Sequence, residues 1–211
     1  MTYSRFIAGF SIALVAVSAN ADNAVSFNLG SGSQAYAGSL GIDFTANTSF
    51  SINRVGVFNS TSNPFVADMT VYFYDKANTS APVFTQVIHT TDSTVLDGGV
   101  RYVNATFTLL GGHDYSLVSE GFNPVDQNYN TNVASNPADH TLSTLGGRIT
   151  WDLTSSGVVL NRYGNAGLYP TFDNQAASWQ LPNASFSPVP EPASLAILSM
   201  GVGALLRRRR K

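Results

Sequence analysis

Side-chain oxygens recur at every second position in "GFNPVDQNYNTN" (residues 121–132), on Asp126, Asn128, Asn130 and Asn132. Carboxylate and amide oxygens at that spacing open a calcium loop, where they surround a hard cation. The match then breaks off. The sixth position, glycine in such a loop, is Thr131, and the twelfth, a bidentate glutamate, is Pro137. A helix–loop–helix calcium site is therefore unsupported. What remains is a looser calcium site in a loop between strands, or a long surface turn of the kind that Asn and Asp build by bonding nearby backbone.

Aromatic rings are the second chemical resource. Tyr163, Tyr169, Trp151 and Trp179 offer faces on which the apolar side of a pyranose could stack. Trp151 alternates with Ile149 and Leu153 in "RITWDL" and reads as core, which leaves Tyr169 with Trp179 as the candidate glycan platform. The competing reading is cross-strand packing. Catalytic patterns are absent. The sequence has no G-x-S-x-G, no H-E-x-x-H and no cysteine, and Glu120 is the only glutamate before Glu191, so a Glu–Glu glycosidase pair is impossible in the body. His89, His113 and His140 are widely spaced. The expectation is a protein that is not an enzyme, with no cofactor beyond that calcium.

These residues need a scaffold, and the composition says which. Without cysteine there are no disulfides, thiolate zinc sites or iron–sulfur clusters, so a hydrophobic core must hold the fold. Between Asp22 and Pro188 lie five cations against twelve acids, a formal −7, which repels phosphate backbones and argues against nucleic acid. Short apolar runs, many of them alternating, are broken by Gly, Asn, Asp, Pro and Ser: 49–58, 69–75, 83–89, 100–110, 114–122, 147–153, 158–163 and 177–186, with 25–29 and 40–44 as weaker examples. In 100–110, Val100, Tyr102 and Ala105 to Leu109 cannot share one side, which predicts a bulge or two-sided burial. Eight to ten short strands without a helical period predict an all-β fold, a two-sheet antiparallel sandwich of jelly-roll type over residues 22–187. Ile52, Val55, Val57, Val71, Phe73, Phe107, Leu117, Ile149 and Trp151 are its expected core.

The two ends carry addresses. In "MTYSRFIAGFSIALVAVSANADNA", Arg5 precedes an apolar stretch from Phe6 to Val17 and then Ala19-Asn20-Ala21. This is the layout of a signal peptide (1–21) that signal peptidase would cut before Asp22, or alternatively after Ala24. At the far end Ala193 to Leu206 are fourteen residues, about 21 Å as a helix against a hydrocarbon core of about 30 Å. Arg207, Arg208, Arg209, Arg210 and Lys211 follow directly and would stay cytoplasmic, placing the body in the periplasm. On length alone the segment is a marginal transmembrane anchor.

Val189-Pro190-Glu191-Pro192-Ala193-Ser194, the short apolar run and the terminal basic cluster together resemble the PEP-CTERM sorting signal, over residues 188–211. The resemblance implies a Gram-negative envelope, often one producing exopolysaccharide, and an exosortase that recognises and cuts near Pro-Glu-Pro. Prolines suit that role because they cannot continue a helix and hold the chain extended. The segments "GSLGIDFTANTSFSINRVGVF" (38–58) and "GVRYVNATFTLLGGHDYSLVSEGF" (99–122) resemble β-sandwich ectodomains of such proteins. The first looks like a strand pair, the second like two strands joined at Gly111-Gly112. The function implied is that of an exported, non-enzymatic protein of the cell envelope or extracellular matrix. The alternative is a carbohydrate-binding module that engages exopolysaccharide, with or without calcium.

Overall fold

The computed structural model describes residues 22–27, 32, 34–61, 63–132, 140–154, 160–173, 179–180 and 183–190. The chain divides into a compact unit, Ala21–Val189, and a second unit of Met1–Asn20 with Pro190–Lys211, of which Pro190 alone is among the described residues. The strands are β1 (Val25–Phe27), β2 (Ser39–Ala46), β3 (Phe50–Phe58), β4 (Met69–Asp75), β5 (Phe84–Ile88), β6 (Val95–Asp97), β7 (Val100–Leu109) and β8 (His113–Glu120). Shorter ones follow: β9 (Thr131–Asn132), β10 (His140–Leu142), β11 (Ile149–Trp151), β12 (Asn161–Gly164), β13 (Phe172–Asp173), β14 (Trp179–Gln180) and β15 (Ala184–Pro188). No helix occurs among the described residues. The fold is all-β and sandwich-like, as expected.

One large sheet runs β13–β12–β2–β8–β4–β5, with β11 also paired to β2; a second runs β15–β3–β7–β6, and β1–β10 and β9–β14 form two-stranded pairs. Every pairing is antiparallel. Alternation explains how the sheets face each other. In β2, Leu40, Ile42, Phe44 and Ala46 are buried, and in β4, Met69, Val71 and Phe73; side chains at every second position share one face. From the four-stranded sheet Phe186 meets Phe44 and Phe73, both at 5.5 Å between ring centroids, and Phe107 meets Phe73 at 4.7 Å and Phe84 at 4.0 Å. The expected core residues lie in this layer, with Phe107 half-buried and packed against it. Trp151 is buried and donates its indole N–H to the Ser143 carbonyl at 3.0 Å. Leu153 departs from the expected alternation. It is 59% exposed, because β11 stops at Trp151.

The two family-like segments turn out to be corners between sheets. β2 and β3 lie in different sheets, as do β7 and β8, and the pairs that hydrogen-bond are β2 with β8 and β3 with β7. The first segment is thus a strand pair without being a hairpin. The corners touch where the Gly112 amide donates to the Ala46 carbonyl (2.6 Å) and the Gly111 amide to Ser49 Oγ (2.9 Å). A Cβ on Gly111 would lie 2.7 Å from the Ser49 nitrogen, so only glycine lets the two chains pass this closely.

The irregularity predicted for 100–110 takes both expected forms. Ile52 pairs with Phe107 and Arg54 with Asn104, so β7 spends one residue more than β3 there, which is a bulge. Beyond it Val100, Arg101 and Tyr102 are all buried. Phe58, opposite Val100, meets Phe27 at 4.6 Å and Tyr129 at 5.5 Å, giving this end of the sheet a second apolar cover.

Candidate functional site

The oxygen-rich loop is stitched to two different neighbours. Asn123 Oδ1 accepts from the amides of Val125 (2.9 Å) and Asp126 (3.0 Å), an Asx turn that sets the loop's entry. Asp126 is buried, and its Oδ2 accepts from the Val66 amide at 2.8 Å. Asn128, fully buried, turns the other way. Its Oδ1 accepts from the Tyr36 amide (3.0 Å), and its Nδ2 donates to Gln34 Oε1 (3.3 Å), which Asn130 Nδ2 also reaches (3.0 Å). Asn132 sits in β9 opposite Trp179 of β14, and the side chains of both lie outside the described residues. Asp126 and Asn128 therefore spend carboxylate and amide oxygens on backbone amides from separate segments. Among the described residues no group of three His, Cys, Asp or Glu side chains could hold a metal.

The densest polar cluster was not singled out from the sequence. Asp43 points away from Ile42 and Phe44, on the outer face of the seven-stranded sheet, yet its carboxylate has no exposure. Its Oδ1 accepts from Ser116 Oγ at 2.5 Å; its Oδ2 meets Arg162 Nε at 2.6 Å and Lys76 Nζ at 3.1 Å. Lys76 also binds Asp152 at 2.7 Å. Burial alone would pull the Lys76 ammonium down; the hydrogen bonds and charges of Asp152 and Asp43 outweigh it and hold the group above its ordinary value. Chemically this is a saturated lock. The Ser116 proton is committed to Asp43, the serine is fully buried, and both Asp43 oxygens are taken. The lock binds β12 and the loop after it to β2, β4 and β8. Nearby, Glu120 closes the same loop by accepting from Tyr72 (2.5 Å), Ser39 (3.0 Å) and the Gly167 amide (2.6 Å).

Tyr169 belongs to this lock. Its ring stands edge-on to Tyr74 at 5.2 Å with Arg162 at 5.5 Å, and its hydroxyl is 3.3 Å from Ser116 Oγ. An open aromatic surface exists elsewhere. Tyr163 of β12 and Phe172 of β13 are register partners, their rings stacked at 5.4 Å and 21°, with Phe172 59% and Tyr163 37% exposed. Tyr163 was among the sequence candidates. Phe172 was not, because a two-residue strand carries no periodic signal.

The sandwich ends in a strand that runs straight into the proline-rich segment. Pro188, where the sorting segment was expected to begin, is with Ser187 still a buried member of β15, and the Val189 amide donates to the Ser51 carbonyl at 2.8 Å. Pro190 is exposed. Residues 188–211 match the family model of the PEP-CTERM protein-sorting motif. The chain carries this motif. It implies export, membrane-associated sorting and processing by an exosortase. Pro188 and Val189 belong at once to the sandwich and to the sorting motif. Glu191, Pro192, the expected transmembrane helix at 193–206, the basic cluster Arg207 to Lys211 and the expected signal peptide at 1–21 lie outside the described residues. Among the described residues no helix is long and apolar enough to cross a membrane. No curated protein and no solved structure matches the chain.

Proposed function

We propose that this is a non-enzymatic protein of the cell envelope or extracellular matrix. A signal peptide at 1–21 takes it to the periplasm, and a transmembrane helix at 193–206 holds it there until an exosortase acts near Pro190-Glu191-Pro192. The observation that carries the reading is the sorting motif following directly on the last strand of a self-contained sandwich. The body reads as non-enzymatic because its densest polar cluster is saturated by its own counter-charges. In fractionated cells with an active exosortase, mass spectrometry should find mature protein without the Arg207 to Lys211 tail. Glu191→Ala should leave the full-length chain in the inner membrane. An intact Lys211 in exosortase-positive cells would refute the reading.

The exposed Tyr163–Phe172 stack favours a second reading, a carbohydrate-binding module that engages exopolysaccharide. Aromatic faces of this kind bind the C–H face of sugars. On a glycan array the body should bind, and Phe172→Ala should abolish the signal. Equal binding by that variant would exclude this surface.

A further inference from the structure

Strand β15 ends its sheet. β3 holds one edge in a full ladder, from Ala184 opposite Val57 to Pro188 opposite Ile52. Residues 23–25 cover the other through one backbone bond and several side-chain bonds. The Ala24 amide donates to the Phe186 carbonyl at 2.8 Å, and Ser185 Oγ both accepts from the Val25 amide (2.9 Å) and donates to the Val25 carbonyl (2.8 Å). Asn23 closes the end. Its Oδ1 accepts from Ser187 Oγ (2.7 Å) and from Arg54 Nη2 (2.8 Å), and its Nδ2 donates to Asp97 Oδ2 (3.0 Å), which is paired to Arg54 at 2.5 Å. Ala24, Val25, Ser185, Phe186 and Ser187 are all essentially without exposure. The next contact outward, from the Val189 amide to the Ser51 carbonyl at 2.8 Å, is the outermost among the described residues.

A protease takes its substrate as an extended chain with free backbone, so a strand laddered on one edge and covered on the other is closed to it until it opens locally. Among the described residues the clamp reaches as far as Val189. We infer that the folded body sets the upstream limit of C-terminal processing: the peptide bond cut lies beyond Val189, the mature protein keeps β15 whole, and residues 23–25 hold that limit. In hydrolysis, water supplies the hydroxyl to the acyl carbon and the proton to the departing amine, so the mature chain ends in a carboxylate at or after Pro190. The inference rests on the exosortase reading and adds to it a position and a device. The device uses the segment that becomes the amino terminus once a signal peptide is removed.

The test has two arms, both on the full chain. In exosortase-positive cells, mass spectrometry of the mature protein reads the C-terminal residue; at the bench, the purified full-length protein in detergent is treated briefly with subtilisin. Both should yield termini at or beyond Pro190. Asn23→Ala and, independently, Ser185→Ala should speed subtilisin cleavage within 184–189 roughly 30- to 150-fold, as losing two or three hydrogen bonds of ordinary net strength would. Near-ultraviolet circular dichroism confirms that each variant is folded. A terminus within 184–189 in either arm for the unaltered protein overturns the inference while leaving the sorting reading intact. So do unchanged subtilisin rates in both folded variants. An intact Lys211 in the cellular arm overturns the sorting reading, and the inference with it.

Discussion

Asp43→Asn should be among the most damaging isosteric changes available to this protein. The carboxylate is fully buried and faces Arg162 at 2.6 Å, Lys76 at 3.1 Å and Ser116 at 2.5 Å. Neutralising it leaves Arg162, whose side chain is 13% exposed, without this carboxylate, while Lys76 keeps Asp152 at 2.7 Å. Removing one partner of a buried ion pair costs about 3–5 kcal/mol because the other charge stays behind. The share that Asp152 retains on Lys76 points to the lower end, about 3 kcal/mol. For a domain of roughly 150–250 residues each kcal/mol moves the melting temperature about 2–4 °C, so a fall of about 6–12 °C is expected. Thermal and urea unfolding followed by tryptophan fluorescence read it. Arg162→Gln supplies the second leg of a double-mutant cycle, and the double variant should lose at least about 1.5 kcal/mol less than the sum of the single losses. A loss below about 1 kcal/mol for Asp43→Asn, the range of exposed pairs, or strict additivity would refute the lock.

Leu117→Ala removes a buried side chain lying between Ile42 and Phe73 in the register and should cost about 2–5 kcal/mol in urea unfolding. A loss under about 1 kcal/mol would mean that the site is not close-packed. His89 and Asp68 form an exposed pair at 2.8 Å. Its hydrogen bond and charge raise the imidazole above its usual 6.5, and the same bond, with the Thr90 amide, lowers Asp68 below 3.8. The imidazole therefore favours the folded state fully below pH 6.5, a gain lost as pH rises through the higher folded value, whereas the Asp68 gain is present above 3.8 and lost as pH falls through its lower folded value. An NMR titration should show His89 raised and moving back toward its free value in Asp68→Asn; no movement would break the assignment. Removing calcium with a chelator should leave the melting curve unchanged, because the Val66 and Tyr36 amides already occupy oxygens of Asp126 and Asn128. A drop of several degrees would reinstate the calcium loop.

What the sequence made legible was local. Alternation in "MTVYFYD" and "GIDFTA" tells which side chains face inward, and the irregular run at 100–110 announced its own bulge. The sorting motif is contiguous and could be read letter by letter. Alternation does not tell a strand whom it pairs with. The corner at Asn47 to Ser49 looks in sequence like any tight turn, yet it carries the chain from one sheet to the other. The same limit hid the Asp43 lock, whose members come from β2, β8, β12 and the ends of β4 and β11. It also hid the partners of the oxygen-rich loop. Asn128 and Asn130 are spaced like ligands in the sequence, and their side chains meet Gln34 and Tyr36, more than ninety positions away.

The clamp on β15 joins residues 160 and more positions apart, Val25 to Ser185 and Asn23 to Ser187. A chain that emerges amino end first releases β3 early and must wait for almost its whole length before the partner strand arrives. Until then Val55 and Val57 lack Phe186 and Ala184, their partners in the register, Phe44 lacks the Phe186 ring, and the sheet has an open edge at β3. Such long-range closure is slow and leaves apolar surface uncovered meanwhile. The final strand and the sorting motif are adjacent in the chain, so the stretch that completes the fold and the stretch that is read for sorting emerge together. Maturity and address are thus announced by one event, and a truncated or stalled chain lacks both.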